Sequence, residues 1–120
     1  AAMKDRCILV VEDDYLVALL VTDILEEAGA KVVGPAARLN EAMNLLADDR
    51  SKIDGAVLDV NLNGEKSYPV ADALAARKVH FVFTSGYGAE ALDSAYRTYP
   101  RCEKPISAEA LVAALAAKAQ

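Results

Sequence analysis

The chain has 120 residues, the size of one ordinary domain, which leaves no room for two separate cores. Hydrophobic residues make up 54% and charged ones 26%, too apolar for a disordered chain, and the longest unbroken apolar run, Ala110 to Ala117, falls well short of the roughly 20 residues of a membrane span. Thirteen basic residues against 18 acidic give a net charge of −5, which argues against a nucleic-acid-binding surface.

The start, Ala1-Ala2-Met3-Lys4, lacks the apolar core of a signal peptide. Residues 1–5 read as a tail or expression remnant, and 6–120 as the domain. Cys7-Ile8-Leu9-Val10-Val11 is short, continuous and β-branched, as a strand buried on both faces should be. Leu16, Leu20, Ile24 and Val17, Val21, Leu25 then recur every four residues and read as one inward face of a helix, with Gly29 placed to stop it. Lys31 to Pro35 reads as a second strand, Glu41 to Asp48 as a second helix, and Gly55 to Leu58 as a third strand ending at Asp59. The loop from Val60 to Ser67 is polar. Pro69 suits the first turn of a helix running through Arg77. His80 to Thr84 is a fourth strand, and the only histidine begins it. Ala89 to Tyr96 reads as a weaker helix, Arg101 to Glu103 as a fifth strand, and Ser107 as the cap of a last helix. Cys7 and Cys102 have no C-x-x-C spacing and read as buried, reduced thiols in a cytoplasmic protein.

Five strands alternating with five helices predict an α/β fold with a parallel sheet covered on both faces. Ligands of such sheets bind beyond the carboxyl ends of the strands. Those ends carry Glu12-Asp13-Asp14, Asp59, Thr84-Ser85-Gly86 and Lys104-Pro105. Adjacent strands lie about 4.8 Å apart, so the acids should crowd. Two carboxylates about 4 Å apart repel by on the order of 4 kcal/mol at an effective dielectric of 20. A proton, a lysine or a divalent cation must relieve them, and an all-oxygen donor set suits magnesium. Taken singly the residues have plainer readings. Asp13 or Asp14 can be a helix cap, Ser85 a turn residue and Lys104 a solvated lysine. One cap does not explain Glu12, Asp13 and Asp59 together.

The stretches Ile8-Leu9-Val10-Val11-Glu12-Asp13-Asp14, Val57-Leu58-Asp59-Val60-Asn61-Leu62, Phe83-Thr84-Ser85-Gly86-Tyr87 and Glu103-Lys104-Pro105, in this order, resemble the receiver domain of bacterial response regulators. Phe83 to Tyr87 further resembles the Phe-Ala-Thr-Gly-Tyr stretch of a stand-alone subgroup. The resemblance implies a doubly wound, flavodoxin-like sheet of order 2-1-3-4-5. It implies that Asp59 accepts a phosphoryl group from a phosphohistidine on a sensor histidine kinase or phosphotransfer protein. Magnesium would be held by Asp13, Asp59 and the Asn61 backbone carbonyl, with Glu12 acting through a water. Lys104 would pair with Asp59 and then with the phosphoryl oxygens, and Ser85 would be the switch hydroxyl, Thr84 pointing to the opposite face. The protein would be a signalling switch rather than an enzyme, acting on a downstream protein, with no direct contact to nucleic acid or membrane.

The departures are as informative. The family places an aromatic residue three positions before the lysine, and here that residue is Arg101, after Tyr99 and Pro100. Ile106 stands where a Phe is usual, and Tyr87 is expected to restrict water and set the phosphoryl lifetime. Two other readings compete: a small magnesium-dependent phosphatase that turns over an aspartyl-phosphate, and a receiver-like scaffold that has lost phosphorylation. The phosphatase reading wants a nucleophile after the first strand with a second Asp two residues on, and a cap for which 120 residues leave little space.

Overall fold

The protein is described, for residues 2–86 and 92–117, by a computed structural model. In chain order the elements are β1 (Cys7–Val11), α1 (Tyr15–Glu27), β2 (Lys31–Ala36), α2 (Leu39–Ala47), β3 (Gly55–Asp59), β4 (Asn61–Leu62), β5 (Glu65–Lys66), α3 (Tyr68–Ala76), β6 (His80–Ser85), β7 (Arg101–Glu103) and α4 (Ala108–Ala116). The five long strands form one parallel sheet in the order β2-β1-β3-β6-β7, the 2-1-3-4-5 winding.

Alternation along the central strands builds a core on each face of this sheet. Leu9, Val11, Ala56, Leu58, Phe81 and Phe83 pack with α2 and α3. Ile8, Val10, Val57 and Val82 pack with α1 and α4, through Val21, Leu25, Leu111 and Leu115. Both faces being covered, β1 and β3 need no polar alternation, which is why their sequences read as continuous apolar runs. Ser107 caps α4 as expected, its Oγ accepting the Ala110 N–H at 3.3 Å. The other end of α4 is held from two sides. His80 Nε2 lies 2.8 Å from the Ala114 carbonyl, and Arg6 donates to the Leu115 carbonyl at 3.4 Å.

Four expectations need correction or extension. Leu16 and Leu20 do not face inward: Leu16 is 74% exposed and Leu20 46%, while α1 buries Ala18, Val21, Ile24 and Leu25. The described residues hold four α-helices rather than five. Of the stretch Ala89 to Tyr96, residues 89–91 lie outside the described residues, and Ser94–Tyr96 form a single 3-10 turn. Cys7 and Cys102 are free but half-buried. Met3, assigned to the tail, is fully buried among Ile8, Val21 and Leu25, and its N–H donates to the Ala28 carbonyl at 2.9 Å. The polar loop after β3 also contains the small hairpin β4–β5. Its turn places Asn63 and Gly64 at positive φ (53° and 98°), and Asn61 Oδ1 closes it on the Gly64 N–H at 2.8 Å.

Candidate functional site

The parallel register brings the carboxyl ends of β1, β3, β6 and β7 to one edge of the sheet. Glu12 and Asp59 are buried there, and Asp13 is exposed. One carboxylate oxygen of each of Glu12, Asp13 and Asp59 falls within 4.8 Å of the other two. Lys104, just past β7, spans the group: its Nζ lies 3.1 Å from Glu12 Oε1 and 3.2 Å from Asp59 Oδ2. Asp59 Oδ1 accepts the Asn61 N–H at 3.3 Å, and Glu12 Oε2 accepts the Asp14 N–H at 3.0 Å.

The run Glu12-Asp13-Asp14 thus divides its labour. Asp14 is the cap of α1, its Oδ1 accepting from the Leu16 and Val17 N–H groups. Glu12 and Asp13 are left for the site. Ser85 ends β6, buried, and its carbonyl accepts the Lys104 N–H at 2.8 Å, which fixes the lysine's backbone against β6. Val82 belongs to the α1/α4 core and Phe83 to the α2/α3 core. By alternation Thr84 and Ser85 therefore leave the strand on opposite faces. Tyr87 lies outside the described residues. His80 is half-buried at the far end of β6.

The electrostatics show what the cluster lacks. Burial pushes the Glu12 carboxyl up to about 8, and its hydrogen bond to Asp59 and that carboxylate's charge push the same way; the Asp14 N–H and Lys104 pull it back only in part. For Lys104 burial works against the charge, but Asp59 and Glu12 overcome it and hold the ammonium above its ordinary value. One lysine therefore does not neutralise the site, and at neutral pH a proton is retained on Glu12. Three carboxylates converging, with no nitrogen or sulfur donor joining them among the described residues, form a set that a hard divalent cation fits, and such a cation would displace that proton.

Beside the acids an open groove of about 270 Å³ runs along α1, lined by Glu12, Asp13, Tyr15, Leu19, Thr22 and Pro35. Tyr15 and Leu19 of its lining are exposed, as are Leu16 and Leu20 of the same helix. Among the described residues no helix is long and apolar enough to cross a membrane.

This architecture has many counterparts. The solution structure of SdrG from Sphingomonas melonis Fr1 is 40% identical, with a TM-score of 0.80 over 96% of this chain and 98% of that one. The beryllofluoride-activated conformation of SdrG, from Pseudomonas melonis Fr1, is 41% identical over 92% of each chain, with a TM-score of 0.77. The receiver domain of the PhyR response regulator from Erythrobacter litoralis shares the fold at 23% identity and a TM-score of 0.80, over 96% of this chain and 90% of that one. A comparison with curated proteins finds no match. The profile of the response regulator receiver domain matches residues 8–116, nearly the whole chain, and with the site geometry above it places this protein in the receiver domain family of two-component signalling.

Proposed function

We propose that the protein is a phosphorylation-controlled switch in which Asp59 accepts a phosphoryl group from a phosphohistidine on a sensor histidine kinase or phosphotransfer protein. The observation that carries this reading is the placement of Asp59: buried, held by Lys104 Nζ at 3.2 Å, and sharing one 4.8 Å cluster with Glu12 and Asp13. An Asp59 carboxylate oxygen attacks phosphorus. The P–N bond breaks, and its electron pair returns to the imidazole ring. Lys104 is positioned to follow the charge that gathers on the phosphoryl oxygens, and Ser85 to donate its hydroxyl to them. Asp13, Asp59 and the Asn61 carbonyl would hold magnesium, with Glu12 behind a water. Bound there, magnesium would draw charge off the phosphoryl group.

A phosphohistidine arrives on a protein surface, and the exposed apolar residues of α1 beside the acids support a protein donor. The acyl phosphate adds charge and strong acceptors beside the end of β6, so the strand end changes in response. On this reading the domain works in the cytoplasm and turns over nothing but its own phosphoryl group. The test is intact mass after incubation with magnesium and a small phosphodonor. Wild type should gain one phosphoryl group and Asp59→Asn none. Equal labelling of both moves the acceptor elsewhere, and repeated turnover of a phosphorylated metabolite makes the protein a phosphatase.

A further inference from the structure

Arg101 takes no part in the chemistry above, yet it lies three positions before Lys104 on the strand that delivers the lysine. It opens β7, the edge strand, in register with Phe83. Strand alternation puts its side chain on the same face as Phe83 and Ser85. The side chain is only 21% exposed. One arm of the guanidinium, Nη2, reaches the exposed Glu103 carboxylate at a long 3.4 Å. The other, Nη1, is buried and has no hydrogen-bond partner among the described residues. A cationic donor taken from water with nothing in return raises the free energy of the conformation that holds it. Any conformation in which Nη1 meets water or an acceptor recovers that cost.

The links from Arg101 to the phosphoacceptor are short. Glu103, its partner among the described residues, is bonded directly to Lys104, which grips Asp59 and Glu12. The Lys104 N–H is tied to the Ser85 carbonyl at 2.8 Å, and the Phe83 N–H to the Pro100 carbonyl at 3.0 Å, so the ends of β6 and β7 are tied to each other. Resting on the reading of Asp59 as phosphoacceptor, we propose that Arg101 is the switch group of this domain: phosphorylation repositions Lys104 and Ser85, loosens the Glu103 contact, and releases the guanidinium from the β6–β7 face to solvent. The phosphorylated form then presents an extra cation at the sheet edge of a chain whose net charge is −5. An aromatic ring at this position carries no unpaired donor and so no such bias.

The test is arginine labelling by phenylglyoxal, read peptide by peptide by mass spectrometry, with magnesium alone and with magnesium plus beryllofluoride as the phosphoryl mimic. Arg101 should label several-fold faster with beryllofluoride in wild type and at an unchanged rate in Asp59→Asn. Arg50, whose side chain is 92% exposed, should label equally throughout. Arg101→Met keeps the apolar stem but removes the unpaired donor from the resting state. It should need several-fold more beryllofluoride for half-saturation. Unchanged Arg101 labelling in a wild type that saturates with beryllofluoride overturns this proposal and leaves the phosphoacceptor reading standing. A wild type that does not respond to beryllofluoride at all overturns both.

Discussion

At the scale of single residues the site is a charge problem with one term missing. Glu12 keeps a proton up to about pH 8 because burial and Asp59 disfavour its anion. A cation that needs the ionised cluster must therefore displace that proton. Magnesium affinity should rise steeply between about pH 6 and 8, at most tenfold per unit, and level off above 8. Titration by calorimetry in two buffers of different ionisation enthalpy would show the released proton, and Glu12→Gln should flatten the profile. A flat wild-type profile would mean that the carboxyl is already ionised. Lys104 is a second case. Lys104→Met should slow phosphorylation by a small donor by on the order of 100-fold, because a preorganised cation at the developing phosphoryl charge is lost. Its rate at saturating magnesium is the measurement, and a change under threefold would contradict the role. Most of this cluster was legible in the sequence, since strand ends can be located from apolar runs that stop at an acid or a lysine. Which of three consecutive acids caps α1 was not. That depends on the helix starting at Tyr15, which leaves Asp14, not Asp13, in position for the Leu16 and Val17 N–H groups.

At the scale of elements α1 is the instructive piece. A ladder with steps of four residues looks like one face, but each step advances about 40° around the helix. Leu16 therefore lies nearly opposite Leu25, and a helix lying on a sheet buries only one stripe. The inward stripe is Ala18, Val21, Ile24 and Leu25; the outer one is Tyr15, Leu16, Leu19 and Leu20. The two should respond oppositely to mutation. Leu25→Ala, at a fully buried position, should cost about 2–5 kcal/mol. Leu16→Ser with Leu20→Ser should shift stability by only about 0.5 kcal/mol each, yet slow phosphotransfer from a kinase while leaving labelling by a small donor intact. Urea melts and parallel transfer assays separate these outcomes, and equal loss with both donors would take the outer stripe out of docking. The sequence hid this division because leucines are equally apolar on either stripe. The β4–β5 hairpin was hidden for another reason: two-residue strands leave no periodicity, and only Asn63-Gly64 marks the turn.

At the scale of the whole molecule, the winding order that builds the two cores also forces buried carboxylates into one place. β1 and β3 are neighbours at the centre of the sheet, so the acids that end them cannot be moved apart without changing the fold. Without a divalent cation this crowding is a standing cost, offset by Lys104 and, below about pH 8, by the proton on Glu12. If Asp59 is the phosphoacceptor as proposed, stability and phosphorylation are therefore in opposition there. Folded Glu12 titrates above its ordinary value of 4.5, so the stability linked to its proton is complete below pH 4.5 and is lost as pH rises through about 8. Without divalent cations the wild-type domain should accordingly lose stability across that window. Asp59→Asn removes both the repelling charge and the group that most directly holds the Glu12 proton, and should be more stable than wild type near pH 8 by on the order of 1 kcal/mol, or about 4 °C in Tm. Magnesium should reverse the order: at 100 times its dissociation constant it adds about 2.7 kcal/mol to a protein that binds it only when folded, and Asp59→Asn should gain far less. Thermal melts of the two proteins at pH 5 and pH 8, with and without magnesium, test this directly. Wild type that is the more stable of the two at pH 8 without a cation would show that the cluster is not under electrostatic load.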